Sequence, residues 1–461
     1  MKAGVFSPER RALTIGLVLI VSVAAFEALA VATILPATVR EIGGLPYYGW
    51  AFTGFMLANL VGIPLSGRLV DRRGPVPLFV AGTLLFTGGL GIAGLAYSME
   101  MLIIGRVLQG LGAAALSCVA YVAVARAYAA DAQPRIMALL SSAWVVPGLF
   151  GPGLAAGIAK AIGWRGVFLG LVPAVLVASG LAFPGLRGLG SPRGPEAEAE
   201  AAPVWSAILL AFGVALALIG MRSQQAFVAA AVGLGGAGLT VYALFRVLPT
   251  AALRSQPGLA AAIAVLALIN FAFYAVEAFL PLVLTQMRSA GTALVATSLT
   301  AGTLAWTGGS WLQDRTVQRL SRRHLLRGGL GCFIVGIGGV SSVLLPAVSP
   351  SLAVPAWALS GFGMGIAYQT AMLAVLAAAP GGREGQITAT MQIANALAVA
   401  LATGLGADLI ARVSRTGQPT AGGVALVDAA ALFSCLIAVV AARGVAERNP
   451  DPQEQKQSAG A

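Results

Sequence analysis

Gly67-Arg68-Leu69-Val70-Asp71-Arg72-Arg73-Gly74 interrupts a run of apolar sequence between two blocks that are each long enough to cross a bilayer. The octet sets one carboxylate among three arginines, with a glycine at either end. Glycine reaches backbone angles that other residues avoid, so both glycines are expected to serve a tight hinge. Asp71 can cap a helix start or pair with a guanidinium, which would latch two helices together. The plainer reading is a loop whose arginines reach toward lipid headgroups.

Outward from the octet the pattern repeats along the whole chain. Of 461 residues, 58% are hydrophobic and only 10% charged, with mean hydropathy +0.87, far from a soluble protein's quarter of charged residues. Lipid must therefore be the solvent for most of the chain, which is read as an all-α integral membrane protein. Apolar blocks predict helices at Leu13–Pro36, Tyr48–Val70, Leu78–Tyr97, Met101–Ala125, Ile136–Ile162 and Gly166–Phe183. A polar stretch with Ser-Pro-Arg-Gly-Pro and Glu196, Glu198 and Glu200 reads as a flexible linker. A hairpin follows at Val204–Met221 and Ala226–Phe245. Six more blocks follow at Gly258–Gln286, Ala293–Leu312, Leu325–Leu345, Leu352–Ala379, Ile387–Ile410 and Gly423–Ala442. The expected organisation is a first six-helix bundle (1–186), a cytoplasmic linker (187–203), a central two-helix hairpin (204–250), a second six-helix bundle (251–445) and a disordered cytoplasmic tail (446–461), fourteen transmembrane helices in all.

The net charge of +12 does not point to nucleic acid, because the basic residues sit between apolar blocks and not along one face. If the N-terminus is cytoplasmic, 21 of the 29 basic residues fall on that side and 7 on the other, which predicts both termini inside a cytoplasmic membrane. Cys118, Cys332 and Cys435 lie inside apolar blocks and are spaced for neither a metal nor a disulfide framework. The only histidine, His324, lies in a basic cytoplasmic run, and no Gly-x-x-x-x-Gly-Lys phosphate loop is present. No cofactor, metal or enzymatic site is expected. The expected partners are a small-molecule substrate, protons and the bilayer, with a monomer as the working unit.

A few ionisable groups fall inside the apolar blocks, where each costs a few kcal/mol unless it faces a partner or a wet cavity. Glu27 lies midway along the first block and can stay neutral until a cation or a change of conformation favours its ionisation, as proton exchange requires. Arg106, Gln109, Ala113, Ser117 and Tyr121 share one face of the fourth helix and form a polar stripe suited to lining a path. Asn270, Tyr274, Glu277 and Pro281 share a face of the first helix of the second group. Asp428 and Asp408 are further candidates, as readily structural as functional, and Gln369, Gln392 and Asn395 add neutral polar groups. Gly151 and Pro152 sit in Pro147-Gly148-Leu149-Phe150-Gly151-Pro152-Gly153, a concentration of small residues and helix breakers that permits close packing and local bending.

These stretches, taken in order, resemble the major facilitator superfamily, and in particular its fourteen-helix drug:proton antiporter branch. Gly67 to Gly74 is similar to the family's loop between helices two and three, a cytoplasmic gate latch, with Pro75 where a basic residue is usual. Ser310-Trp311-Leu312-Gln313-Asp314-Arg315 is a weaker copy, as a duplicated half would carry. Arg106 to Ala114 resembles the helix-four motif whose arginine is associated with proton coupling. Gly151-Pro152 resembles the antiporter motif, though Pro147, Ala155 and Ala156 stand where glycines are usual. The segment around Glu27 resembles the helix-one motif, in which an aspartate holds the glutamate's place. The resemblance implies two six-helix bundles around a central cavity and a proton-coupled exporter of amphipathic or lipophilic compounds working by alternating access. A dedicated exporter of a lipid or secondary metabolite, or a membrane scaffold or sensor that transports nothing, remain the alternatives.

Overall fold

The computed structural model describes residues 6–8, 10–128, 136, 139–140, 142–189, 204–222, 225–247, 257–317, 319–377, 384–415 and 420–445. Most of the expected linker and the whole expected tail lie outside the described residues. Fourteen α-helices run through the described part: α1 (Arg11–Ile42), α2 (Trp50–Arg73), α3 (Pro75–Gly94), α4 (Met99–Ala127), α5 (Val145–Ile162), α6 (Arg165–Arg187), α7 (Val204–Arg222), α8 (Ala226–Val247), α9 (Pro257–Leu282), α10 (Thr292–Thr316), α11 (Arg322–Ser342), α12 (Ala353–Ala377), α13 (Glu384–Arg415) and α14 (Thr420–Ala441). Twelve stretches of this helical chain are long and apolar enough to cross a membrane; the α7 segment Trp205–Met221 is shorter. The α10 helix is not among the twelve: its alternating Thr, Gly and Ser residues dilute its hydropathy without shortening it.

Local chemistry sets the ends. Gly74, at φ +79°, stops α2 and hands over to Pro75 at the first position of α3, where a missing N–H costs nothing. Ser98 caps α4 by accepting from the Met101 N–H at 3.3 Å, and Ser321 caps α11 by accepting from the His324 N–H at 3.4 Å. Pro36, read from sequence as the end of the first helix, lies inside α1, which continues to Ile42. Proline in a bilayer helix is tolerated where neighbouring helices cover the freed carbonyl, and Pro36 is buried.

The helix contacts form two sets with one pattern. In the first, α1 packs on α5 and α6, α2 on α4, α3 on α4 and α6; in the second, α9 packs on α13 and α14, α10 on α12, α11 on α12 and α14. Bare glycine backbones permit this closeness: a side chain at Gly105 would meet Gly89, and one at Gly363 would meet Gly329. The two sets meet along two seams, α5 against α10 and α2 against α13, with α1 touching α9 between them.

The α7–α8 pair stands apart from this pattern. Leu210, Val214 and Leu218 of α7 bury against Leu57 and Leu60 of α2 and Leu397 and Ala400 of α13, so the hairpin lies along one seam. The α8 helix packs on α7 and leaves Phe227, Leu234 and Phe245 exposed at 84%, 74% and 64%. Phe433, Leu436 and Val440 of α14 are likewise turned outward. Large apolar side chains on the outside of a chain with a packed interior are the signature of a lipid-facing surface.

Candidate functional site

The interior polarity of the first set is built on one guanidinium. Arg106 of α4 pairs with the Glu27 carboxylate of α1 through Nη1, which also donates to Gln109 Oε1 one turn along α4. Its Nε donates to the Ala51 carbonyl of α2 at 2.9 Å, and the guanidinium lies 4.4 Å from the centre of the Phe55 ring. Glu27, Arg106 and Gln109 are 1%, 2% and 0% exposed, so the pair is removed from solvent and lipid alike. A charge at this depth requires such a shell: counter-ion, carbonyl and ring face each offset part of the desolvation cost. Gln109 Nε2 is buried without an acceptor among the described residues. Further along the α4 stripe, Ser117 and Tyr121 are exposed, and Tyr121 interacts electrostatically with Tyr368 of α12 in the other set. The stripe therefore passes from a sealed end at Arg106 to an exposed end at Tyr121, near the other set.

The two sets are held together at the end opposite the Gly74 turn. There Tyr48 rests on Phe279 with ring centres 5.7 Å apart, and the Thr53 hydroxyl meets that of Thr403 at 2.8 Å across the α2–α13 seam. Gly49 lies against the Thr403 carbonyl and Ala407, with no space for a side chain. Gly49→Val should therefore prevent this end from closing. Double electron–electron resonance between labels near residue 47, just before α2, and near residue 411 of α13 is expected to give a longer distance than in the parent; an unchanged distance would disprove the gate.

The second set holds a different polar cluster. Asn270 Nδ2 donates to Asn395 Oδ1 at 3.2 Å, Asn395 hydrogen-bonds Tyr368, and Tyr274 neighbours both Tyr368 and Glu277. Glu277 is half-buried and makes no hydrogen bond or ion pair among the described residues. Gln392 of α13 is exposed. Asp428 is not with these groups: it is buried between α14 and α11, where it hydrogen-bonds Ser341, a helix-to-helix bracket.

The loop motif holds one revision. Gly74 has the left-handed backbone expected of it, but Gly67 is an ordinary α2 residue with open space around it and no positive φ. The helix runs three residues past Val70 to Arg73, so the turn needs only one glycine. The Asp71 side chain lies outside the described groups; Arg72, Asp314 and Arg315 are exposed at the same end of the molecule. Gly151 and Pro152 are buried in α5, with Gly151 facing Phe26 and Leu29 of α1, while Gly148, one turn earlier, is pressed against Thr303 of α10 at the other seam.

Three features were not legible beforehand. The Ala51 carbonyl and the Phe55 ring have no sequence signal as arginine partners. Glu41 pairs with Arg165 and accepts from Trp164 Nε1 at 2.9 Å, pinning the end of α1 to the start of α6; an acidic residue one turn from a helix end was its only sign. An apolar cavity of about 320 Å³ lies between α1, α5 and α6, walled by Phe26, Phe150, Gly151, Leu154 and Leu171 among others.

Comparison with known proteins bears on what this arrangement belongs to. The family model of the Major Facilitator Superfamily matches residues 13–403. The chain is 25% identical over 178 residues to the multidrug transporter protein MdtP of Bacillus subtilis (strain 168), covering 38% of this chain and 33% of that protein. It is 31% identical over 218 residues to the multidrug resistance protein B homolog of Mycobacterium tuberculosis (strain ATCC 25618 / H37Rv), covering 46% and 39%. The matched stretches thus span only about a third of these relatives' own length. A solved bacterial homolog of the human lysosomal transporter Spinster, described as inward-facing and unoccupied, superposes with TM-score 0.66 at 15% identity, covering 96% of this chain and 99% of the other. With a fourteen-helix fold and a family match over most of its length, the chain belongs to the major facilitator superfamily.

Proposed function

We propose that the protein is a proton-coupled exporter of amphipathic or lipophilic small molecules, embedded in the cytoplasmic membrane with both termini inside and working by alternating access. The observation that carries this reading is the sealed Glu27–Arg106 pair inside the first helix set. Keeping such a pair at this depth is costly for a scaffold, and a carboxyl group that can change partner or protonation gives the cleft a way to sense protons. In this state Arg106 neutralises Glu27 and the Tyr48–Phe279 contact closes the end opposite the Gly74 turn. Glu277, without a hydrogen bond or ion pair among the described residues, is the group for which a substrate and a proton compete. Binding a proton from outside releases the substrate, and its loss inside restores the charge. Asp71, Arg72, Asp314 and Arg315 stand at the Gly74 end as the latch that closes when the cleft reverses. The relatives are named for multidrug transport and resistance, which supports a broad substrate range.

Inside-out vesicles test this directly. An imposed pH gradient, acid inside, should drive uptake of several unrelated amphipathic dyes, and collapse of the gradient should stop it. Uptake that is indifferent to the gradient would refute proton coupling. A second reading, export of a dedicated lipid, is favoured by the apolar cavity between α1, α5 and α6. A compound panel in which only a long-chain lipid moves would select it.

A further inference from the structure

We propose that the apolar cavity between α1, α5 and α6 is a slot that holds one acyl chain of a resident bilayer phospholipid. This requires only that the chain spans a membrane, whatever cargo it exports. The α5 and α6 helices are joined by a short turn at Gly163, whose φ is +86°, yet beyond it they touch each other sparingly while each packs closely on α1. The result is a slot with α1 as its floor. Phe26 of α1 and the buried Val167 and Leu171 of α6 line its depth, and the exposed Val146, Phe150 and Leu154 of α5 form its rim.

Position, chemistry and length together name the occupant. Ala174, Val177 and Leu181 continue the stripe that Gly170 begins on α6 and are all exposed, so the mouth of the slot belongs to the lipid-facing surface. Of the side chains lining the slot, Ser22 alone is polar, and its hydroxyl already donates to the Ala143 carbonyl at 3.1 Å. The wall thus has no side-chain donor to spare for a polar ligand. From Val146 to Ile158 the α5 wall rises about 18 Å. One leaflet of the hydrocarbon core is about 15 Å deep, so an extended lipid chain lies along the slot from end to end. A compact ring compound would leave its ends empty. Gly148, on the same helix, presses on Thr303 across the seam with α10. A chain in the slot therefore backs α5 where it meets the second set, and removing it would leave a void behind that seam.

A phosphatidylcholine with a photoactivatable diazirine in its acyl chain, mixed into phospholipid vesicles that carry the full chain, tests the proposal. Crosslinks mapped by peptide mass spectrometry should be at least about threefold denser on Phe150, Leu154 and Leu171 than on Phe433 and Leu436 of α14, which face bulk lipid, because a chain with more apolar area covered stays longer. Leu171 is the sharper reporter, since it is buried and is reached only through the slot. Gly170 has open space where a side chain would stand, so Gly170→Leu should fill the slot and lower labelling to the α14 level. Gly180→Leu, on an equally open α6 position outside the slot, should leave labelling unchanged. In detergent, added phosphatidylcholine should raise the melting temperature of the delipidated parent protein but not that of Gly170→Leu. Labelling no denser in the slot than on α14, or undiminished in Gly170→Leu, overturns the proposal. Displacement of the probe by an exported dye, or its driven transfer between leaflets, would give the slot to cargo and overturn the resident lipid as well.

Discussion

Arg106→Ala is expected to abolish efflux driven by a pH gradient and to destabilise the protein by about 3–5 kcal/mol, because it strands a buried carboxylate. Glu27, Gln109 and the Ala51 carbonyl all lose their shared partner at once, and Phe55 loses the cation over its ring. Vesicle efflux reads the first effect and thermal unfolding in detergent the second. A double variant, Glu27→Gln with Arg106→Gln, removes both charges and should recover most of the stability while remaining inactive. Recovery of efflux along with stability would mean that the pair is only structural. Full stability and full efflux in Arg106→Ala would remove it from the account altogether.

Glu277→Gln is expected to lose transport without losing stability. Proton-driven efflux should fall about tenfold or more, since an amide neither exchanges a proton nor carries a charge. Stability should be unchanged or slightly higher, because the parent carboxyl group has no hydrogen bond or ion pair to lose among the described residues. The two substitutions thus separate: for Arg106, folding and transport fall together, and for Glu277 transport falls alone. A marked drop in melting temperature for Glu277→Gln would show that the carboxyl group holds the fold and would withdraw it as a substrate group.

Much of the architecture could be read from residues because a bilayer leaves few options. Only helices satisfy every backbone group in lipid, so apolar blocks of the right length gave fourteen helices, mostly with ends within a few residues of those observed. Boundaries slipped where neighbours overruled local signals, as at Pro36, buried within α1, and at Gly67, which remains helical because the turn begins only at Gly74. Ionisable residues at membrane depth stand out against an apolar background, so Glu27, Arg106 and Glu277 could be picked out singly. What joins them could not. Their pairing depends on which helices are neighbours: Asp428, named on the same ground as an acid within an apolar block, is buried between α14 and α11 and hydrogen-bonds Ser341. Aromatic residues were silent for a related reason: Phe55 looks like any other apolar residue until the packing lays its ring against the Arg106 guanidinium.

Competition between a proton and a substrate for one carboxyl group is the claim on which the transport cycle rests. Titrating tetraphenylphosphonium into weakly buffered, purified protein and following pH measures it without a membrane. Near neutral pH the parent protein should release up to about one proton for each cation bound, and Glu277→Gln should release none. Binding of the cation with no proton release at any pH between 5 and 9, or identical release from the Glu277→Gln protein, would contradict it.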